Sequence, residues 1–453
     1  MRERAEHQAE HDFADEVRSL EALLGGISID VARALGKVLE GGDISVEESL
    51  LLFGAAGPEL TATVKAADTL RRRTVGDRVT YVVNRNINFT NVCIKRCGFC
   101  AFSRDYRVEE GYLLPTEEIV RRAKEAWELG ATEVCIQAGL PPQMEGDLYI
   151  KLTRAIKEAL PEMHIHGFSP EEVLYGSVRS RTSIREYLTE LKEAGVGSLP
   201  GTSAEILDQD IRDRIAPGRI RVEEWVEVIT TAHQIGLPTT STIMYGHVEN
   251  DWHKAHHLEL LRDIQKASGG FTELVPLSFV HTEAPMWAHQ AVPGIRPGAT
   301  RNEVIRMHAV SRLFLNNWIP NLQVSWVKEG LDMSRVLLSA GANDLGGTLM
   351  NESISTAAGA PFGQLVSPAT FRRLIREAGR VPAERHTTYR IRRVFGEEGE
   401  DGEVAEPLDE LGSSSEERFG SYRQLIRASG YRYQHPRHKA HETRAPAAKD
   451  ETA

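Results

Sequence analysis

The sequence predicts an α/β protein: a (β/α)8 TIM-type barrel with an N-terminal helical extension and a poorly ordered C-terminal tail. Three observations lead there. From about residue 78, short apolar or β-branched runs alternate with longer helical patterns over about 300 residues. Such strand-then-helix repetition calls for parallel strands joined by right-handed crossovers. The chain, 453 residues with 41% hydrophobic and 26% charged content, can also bury a barrel-sized core. The expected division is an extension over 1–77, the barrel over 78–385 and the tail over 386–453.

In the extension, Phe13, Val17, Leu20, Leu23 and Leu24 fall on one helical face. Ser45-Val-Glu-Glu48 then opens a helix as a capping box. Nothing there carries chemistry, so packing onto the barrel is expected. Strands are expected at Val79–Ile87, Glu133–Gln137, His164–Phe168, Val196–Leu199, Thr239–Met244, Glu273–Leu277, Leu322–Trp326 and Asn343–Gly347. Between the first two, Thr116–Leu129 reads as a helix. Ile119, Val120, Ala123, Ala126 and Trp127 share a face, and Gly130 stops it. Eight such units suit a closed barrel. The last two strands are short, which leaves a six-unit open barrel as the alternative. Residues 397–417 are acidic and carry Ser413-Ser414-Ser415, and 432–453 are rich in Arg, His and Lys. Both read as solvated tail.

Bulk properties exclude several functions. A formal charge of −11 opposes nonspecific binding to a nucleic-acid polyanion. The N-terminus has no apolar signal region, and no stretch is long and apolar enough to span a bilayer. Four cysteines, three of them clustered, do not make a disulfide framework. A reducing, cytoplasmic location is expected.

The cluster is Cys93-Ile-Lys-Arg-Cys97-Gly-Phe-Cys100, placed directly after the first barrel strand. Active sites of this fold gather at that carboxyl end. Three thiolates hold three irons of a [4Fe–4S] cluster and leave the fourth iron open for chemistry. A zinc site wants four ligands, and no second cysteine pair completes one. A disulfide would leave one thiol over. Three core cysteines beside Lys95 and Arg96 would be odd.

Cys-x3-Cys-x2-Cys with an aromatic, Phe99, before the last cysteine resembles the signature of the radical S-adenosylmethionine (SAM) superfamily. The resemblance implies a [4Fe–4S] cluster whose open iron binds SAM through its amino and carboxylate groups. One electron then cleaves SAM to methionine and a 5′-deoxyadenosyl radical. It also implies SAM contacts from Phe99, from Gln137-Ala138-Gly139 after the second strand and from Glu205 after the fourth. Gly246 and Glu249, in Thr242-Ile-Met-Tyr-Gly246-His247-Val-Glu249, would complete them. Gly139 otherwise reads as a plain strand-to-helix turn, and Glu205 as a first-turn glutamate favoured by the helix dipole. Other polar residues at strand ends are candidates for the substrate: His166, His247 and His281 as catalytic groups, and Ser169, Thr202, Glu283 and Asn351 as binding groups. Each alone reads equally as a structural residue.

Over roughly residues 65–390 the chain is similar to the CofH family, the tyrosine-consuming subunit family of FO synthase. The strings are Asn88-Phe-Thr-Asn-Val-Cys93, His164-Ile-His166-Gly-Phe-Ser169-Pro170, Ser198-Leu-Pro-Gly-Thr-Ser-Ala-Glu205, Met244-Tyr-Gly-His247-Val-Glu249, Val324-Ser-Trp326-Val-Lys328 and Gly346-Gly-Thr-Leu-Met-Asn351-Glu352-Ser-Ile-Ser. The resemblance implies a 5-amino-6-(D-ribitylamino)uracil–L-tyrosine 4-hydroxyphenyl transferase in coenzyme F420 biosynthesis. Hydrogen abstraction from the tyrosine amino group breaks the Cα–Cβ bond and releases 2-iminoacetate. The 4-hydroxybenzyl fragment adds to C5 of the uracil. An electron donor such as ferredoxin or flavodoxin is implied, and so is a second enzyme, CofG, that takes the product. One cysteine motif argues against the fused two-domain enzyme. The sister cyclase of the menaquinone (futalosine) pathway shares several strings; Thr202-Ser203 and Gly346–Ser355 separate the two. A non-catalytic iron–sulfur or zinc protein and an electron-transfer protein are the rivals of other classes. The tyrosine carboxylate calls for an arginine clamp, with Arg104, Arg107, Arg219 and Arg221 as candidates.

Overall fold

The computed structural model describes residues 22–396, 406–412 and 414–435. The first barrel strand is built in two halves, β1 (Arg78–Val82) and β2 (Asn84–Ile87). Then come β3 (Glu133–Ile136), β4 (His164–His166), β5 (Val196–Ser198), β6 (Thr239–Tyr245), β7 (Phe271–Ser278) and β8 (Asp344–Gly347). Parallel ladders join β2 through β5 in order, and β6 to β7. Single parallel bridges supply the remaining links: Leu199 with Thr239, Leu274 with Leu322, and Gln323 with Asp344. Finally β8 returns to β1 through Thr80–Asp344 and Val82–Gly347. The circuit closes on eight staves, so the barrel is not a six-unit open one. The seventh stave is shorter than expected, bridging only at Leu322 and Gln323 before Trp326 opens a helix.

Period-two alternation places the chemistry. Along β3, Val134 and Ile136 are fully buried in the hydrophobic core, whereas Glu133, Cys135 and Gln137 line the cavity. Thr240, Thr242 and Met244 do the same from β6, and Glu273, Val275 and Leu277 from β7. The helix Thr116–Glu128 buries Ile119, Ala123 and Ala126 as expected. Trp127 differs: it is 42% exposed, at the edge of the apolar stripe.

The helices Ile29–Leu39, Val46–Phe53 and Pro58–Val75 pack on the outer helices Asp251–Ser268 and Arg301–Leu315. The Ser45 capping box forms: Ser45 Oγ accepts from Glu48 N at 3.2 Å, and Glu48 Oε2 accepts from Ser45 N at 2.7 Å. Phe13, Val17 and Leu20 lie outside the described residues.

Beyond the barrel, β9 (Val381–Arg385) runs parallel beside β1, and β10 (Ile391–Val394) pairs antiparallel with β9. This hairpin crosses the expected boundary at 385. Its connecting turn contributes Thr387, with Arg385 from β9, to the cavity lining. Part of the expected tail is also packed. Phe419 and Tyr422 are buried, and Tyr422 donates from its hydroxyl to Phe102 O at 2.8 Å. Tyr112 bridges Arg432. Tyr422, Arg432 and Tyr433 therefore lie across the loop that carries the cysteines, at Phe102, Tyr112 and Gly111. The rest of the acidic stretch (397–405 and Ser413) and residues 436–453 lie outside the described residues.

Candidate active site

The cysteine loop leaves β2 and is pinned by backbone bonds on every side. Cys93 N donates to Arg104 O at 3.0 Å, Ile94 N to Leu140 O at 2.8 Å and Gly98 N to Ile215 O at 2.8 Å. Cys93, Cys97 and Cys100 all face a cavity of about 400 Å³ inside the barrel, within the range of small-molecule sites. Burial pushes the Cys93 thiol up and the Cys97 thiol up to about 12, the latter opposed by Arg219. Both are thiols at neutral pH until a metal displaces the proton.

Arg219 organises the wall beside them. Its Nη1 donates to Cys97 Sγ at 3.2 Å and its Nη2 to Ser203 Oγ at 2.9 Å. Nη2 also meets Glu205 Oε1 at 3.2 Å, and the guanidinium lies 5.6 Å from the Phe99 ring centre. Glu205 sits at φ 41° in a turn and holds Arg212 Nη1 at 3.3 Å. It is not a first-turn glutamate: the next helix begins at Gln209.

On the neighbouring stave, Gln137 Oε1 accepts from Thr202 Oγ1 at 2.7 Å, and Ala138 N donates to Glu172 Oε1 at 2.9 Å. Gly139 is required by close approach: a Cβ there would stand 2.3 Å from Val92 O, in the loop leading to Cys93. Its backbone packs against the cysteine loop, a role the expected approach to SAM had not included.

With this geometry in place, comparison with known proteins decides the family. Residues 87–261 match the radical SAM superfamily, and 268–397 match the CofH/MqnC C-terminal region. The chain is 48% identical over 347 residues to the 5-amino-6-(D-ribitylamino)uracil–L-tyrosine 4-hydroxyphenyl transferase of Methanothermobacter thermautotrophicus. That alignment covers 77% of this chain and 94% of that protein. The chain belongs to this radical SAM transferase family. It is also 46% identical to the FO synthase of Mycobacterium leprae, over 76% of this chain but only 40% of that longer protein. Two solved structures share the fold. The [FeFe]-hydrogenase maturase HydG has a TM-score of 0.61 at 16% identity, over 82% of this chain and 80% of its own. Methylornithine synthase (PylB) has a TM-score of 0.58 at 20% identity, over 77% and 97%.

A radical SAM transferase carries a [4Fe–4S] cluster and SAM, and the residues present fit both. Three thiols line one wall, a donor set for three irons. Among the described residues no three His, Cys, Asp or Glu close around a single metal ion, and a four-iron cube spreads its thiolates more widely than one ion does. Arg219 Nε, beside Cys97, and Asn86 Oδ1, on the cavity wall, are buried and lack a hydrogen-bond partner among the described residues. Such orphaned polar atoms are what a bound polar ligand would satisfy. Cys135 also lines the cavity, on β3, where it accepts from Gln137 Nε2 at 3.4 Å.

The other expected residues divide. His166 lines the cavity, its Nδ1 2.7 Å from Ser198 Oγ, and burial lowers its pKa, so the ring is neutral. Ser169 and Thr202 also line it, but the Ser169 hydroxyl is committed to Glu172 at 2.5 Å as a helix cap. Gly246, His247 and Glu249 do not line it. His247 is fully buried, donates from Nε2 to Met244 O at 3.1 Å and accepts at Nδ1 from Val248 N at 2.8 Å. Both ring nitrogens are spent on backbone, which removes it as a catalytic group. Glu249 accepts from Gly246 N at 2.7 Å and His247 N at 2.8 Å, a closed turn rather than a ligand contact. His281 packs edge-on against Trp287 outside the cavity. Glu283 lines an outer crevice that shares Cys93, Cys97 and Cys100 with the cavity. Asn351, at φ 74°, donates to Gly420 O at 2.8 Å and so anchors the crossing C-terminal segment instead of substrate.

Of the arginines, Arg104 and Arg107 line the outer crevice and Arg221 pairs with exposed Glu223 at 2.7 Å; Arg219 alone reaches the cavity. Sequence reasoning missed Glu133, Glu273, Lys328 and Arg385, all of which line it. Arg385 grips Asp344 in a fork, Nε to Oδ2 at 2.6 Å and Nη2 to Oδ1 at 2.9 Å. Burial lifts Glu273 to about 7, with Arg385 opposing. The inward parity of the strands was the available signal for the two glutamates.

Proposed function

We propose that this transferase cleaves the Cα–Cβ bond of L-tyrosine and joins the 4-hydroxybenzyl fragment to C5 of 5-amino-6-(D-ribitylamino)uracil, releasing 2-iminoacetate. The observation that carries this reading is Thr202-Ser203. By resemblance these residues point to the family rather than to the sister cyclase, and both are bonded into the cavity wall, to Gln137 and Arg219. When bound, the cluster and SAM supply the 5′-deoxyadenosyl radical that starts the reaction. The chain's residues do the rest. The barrel wall excludes water, which would otherwise give the radical side reactions. Arg219 sets a positive charge beside the thiols. Neutral His166, on the cavity wall, offers a hydrogen bond to an uncharged heterocycle. A cytoplasmic ferredoxin or flavodoxin as reductant, and a CofG-type enzyme taking the product, complete the reading.

The test gives reduced, reconstituted protein SAM, tyrosine and the ribitylaminouracil under anaerobic conditions. Mass spectrometry should find 5′-deoxyadenosine and a uracil carrying a hydroxybenzyl group, both absent in Cys97→Ala. Turnover only with a futalosine would overturn the assignment.

A further inference from the structure

Four cationic side chains line the central cavity: Lys95, Arg219, Lys328 and Arg385. Three are committed. Lys95 is held by Glu171 Oε1 at 3.1 Å and by Gly218 O. Arg219 is held by Glu205 and Ser203 beside Cys97. Arg385 is clasped by Asp344. Lys328 differs: among the described residues its ammonium has no hydrogen-bond acceptor and no carboxylate within ion-pair distance. Its nearest acidic neighbours do not answer it. The Glu352 carboxylate is spent on backbone donors, taking Ile354 N at 3.0 Å, Ser355 N at 2.8 Å and Thr356 N at 3.2 Å. Burial raises the pKa of Glu329, and its carboxylate makes no ion pair with Lys328 among the described residues. Lys328 is half-buried and faces the cavity, so its ammonium is open to an anion that arrives with the ligand.

We infer that Lys328 binds the α-carboxylate of the amino-acid substrate. The inference rests on tyrosine being that substrate. The phenol, the ribityl chain and the uracil ring carry no charge at neutral pH, and the SAM carboxylate belongs at the cysteine-loop end with Arg219. The tyrosine carboxylate is the anion left without a partner. Lys328 sits where the seventh stave passes into its helix, and the flanking staves add apolar lining for an aromatic ring: Leu277 and Phe279 on one side, Ile354 on the other. Burial lowers the pKa of Lys328 against the pull of Glu352 and Glu329; an incoming carboxylate favours the charged ammonium. A lysine thus replaces the expected arginine clamp.

The experiment uses holoenzyme and compares tyrosine with tyramine, which lacks only the carboxylate. Wild type should bind tyramine far more weakly than tyrosine. Lys328→Met should raise the tyrosine KM about 10- to 100-fold while the uracil KM stays within about twofold, and should erase the discrimination against tyramine. Lys328→Arg should retain it. Wild type that binds tyramine as well as tyrosine overturns the assignment without any variant. So does a folded Lys328→Met enzyme with an unchanged tyrosine KM, or one whose defect is confined to the uracil. Wild type that makes no hydroxybenzyl adduct from tyrosine would instead defeat the proposed reaction.

Discussion

Replacing Glu172 by glutamine should change how stability depends on pH, by an amount the structure allows to be worked out. Glu172 is buried at the third position of the helix Pro170–Ser180. It accepts from Ser169 N at 2.8 Å, from Ser169 Oγ at 2.5 Å and from Ala138 N at 2.9 Å. Burial raises its pKa from 4.5 to about 7 against those bonds. A raised carboxyl favours the folded state when protonated. Its contribution is full below pH 4.5 and is lost as pH rises through 7. Between pH 8 and pH 5.5 that linkage is worth about 2 kcal/mol. Glutamine cannot titrate. Its amide also offers one acceptor oxygen where two carboxylate oxygens served, which costs about 1 kcal/mol at any pH. The stability of wild type relative to the variant should therefore rise by about 2 kcal/mol on going from pH 8 to pH 5.5. Urea midpoints at the two pH values, on cofactor-free protein with unchanged m, measure this. Glu273 titrates in both proteins and cancels in the difference. A gap between wild type and variant that is equal at both pH values would refute the reasoning.

Arg385→Met leaves Asp344 and Glu273 buried without their cation. Breaking such a pair costs about 3–5 kcal/mol, so the thermal midpoint should drop sharply; an unchanged midpoint would show that the β9–β10 hairpin does not support the barrel wall. Tyr422→Phe removes the bond to Phe102 O, two residues past Cys100, worth about 1 kcal/mol. Hydrogen exchange should quicken over residues 100–112 and stay unchanged in the barrel helices; uniform exchange would mean that the crossing segment does not hold the cysteine loop.

The fold was legible because its determinants are local. Each expected strand lies between helices whose caps and apolar stripes can be read in sequence, as at Ser45, Ser169 and Thr300, where the capping boxes form. Closure was harder to read because the seventh stave holds by two bridges, Leu322 and Gln323. The packed part of the tail was misread for a different reason. Its composition is polar, but its few aromatics are spent well: Phe419 lies under the Arg85 guanidinium and Tyr422 packs on Phe102. Average polarity does not register two well-placed anchors, and the partners lie more than 300 residues away in sequence.

The site was legible only where one segment supplies it. Cys93, Cys97 and Cys100 are such a segment, and so is Gln137-Ala138-Gly139. A strand-end histidine is not, because its role depends on what its ring nitrogens meet. His166 keeps its place on the cavity wall, while His247, equally polar in sequence, closes on its own turn through Met244 and Val248. The same holds for charge. Arg104, Arg107, Arg219 and Arg221 look alike in sequence, yet of these only Arg219 lines the cavity, while Arg104 and Arg107 line the adjoining crevice and Arg221 pairs with Glu223. Which cation is available depends on which anions are already spent, and that sum runs over Glu171, Glu205, Asp344 and Glu352 on three different staves. Only the closed barrel brings those terms together, and among the described residues it leaves Lys328, at the end of the short seventh stave, as the cavity-lining cation without an ion-pair partner.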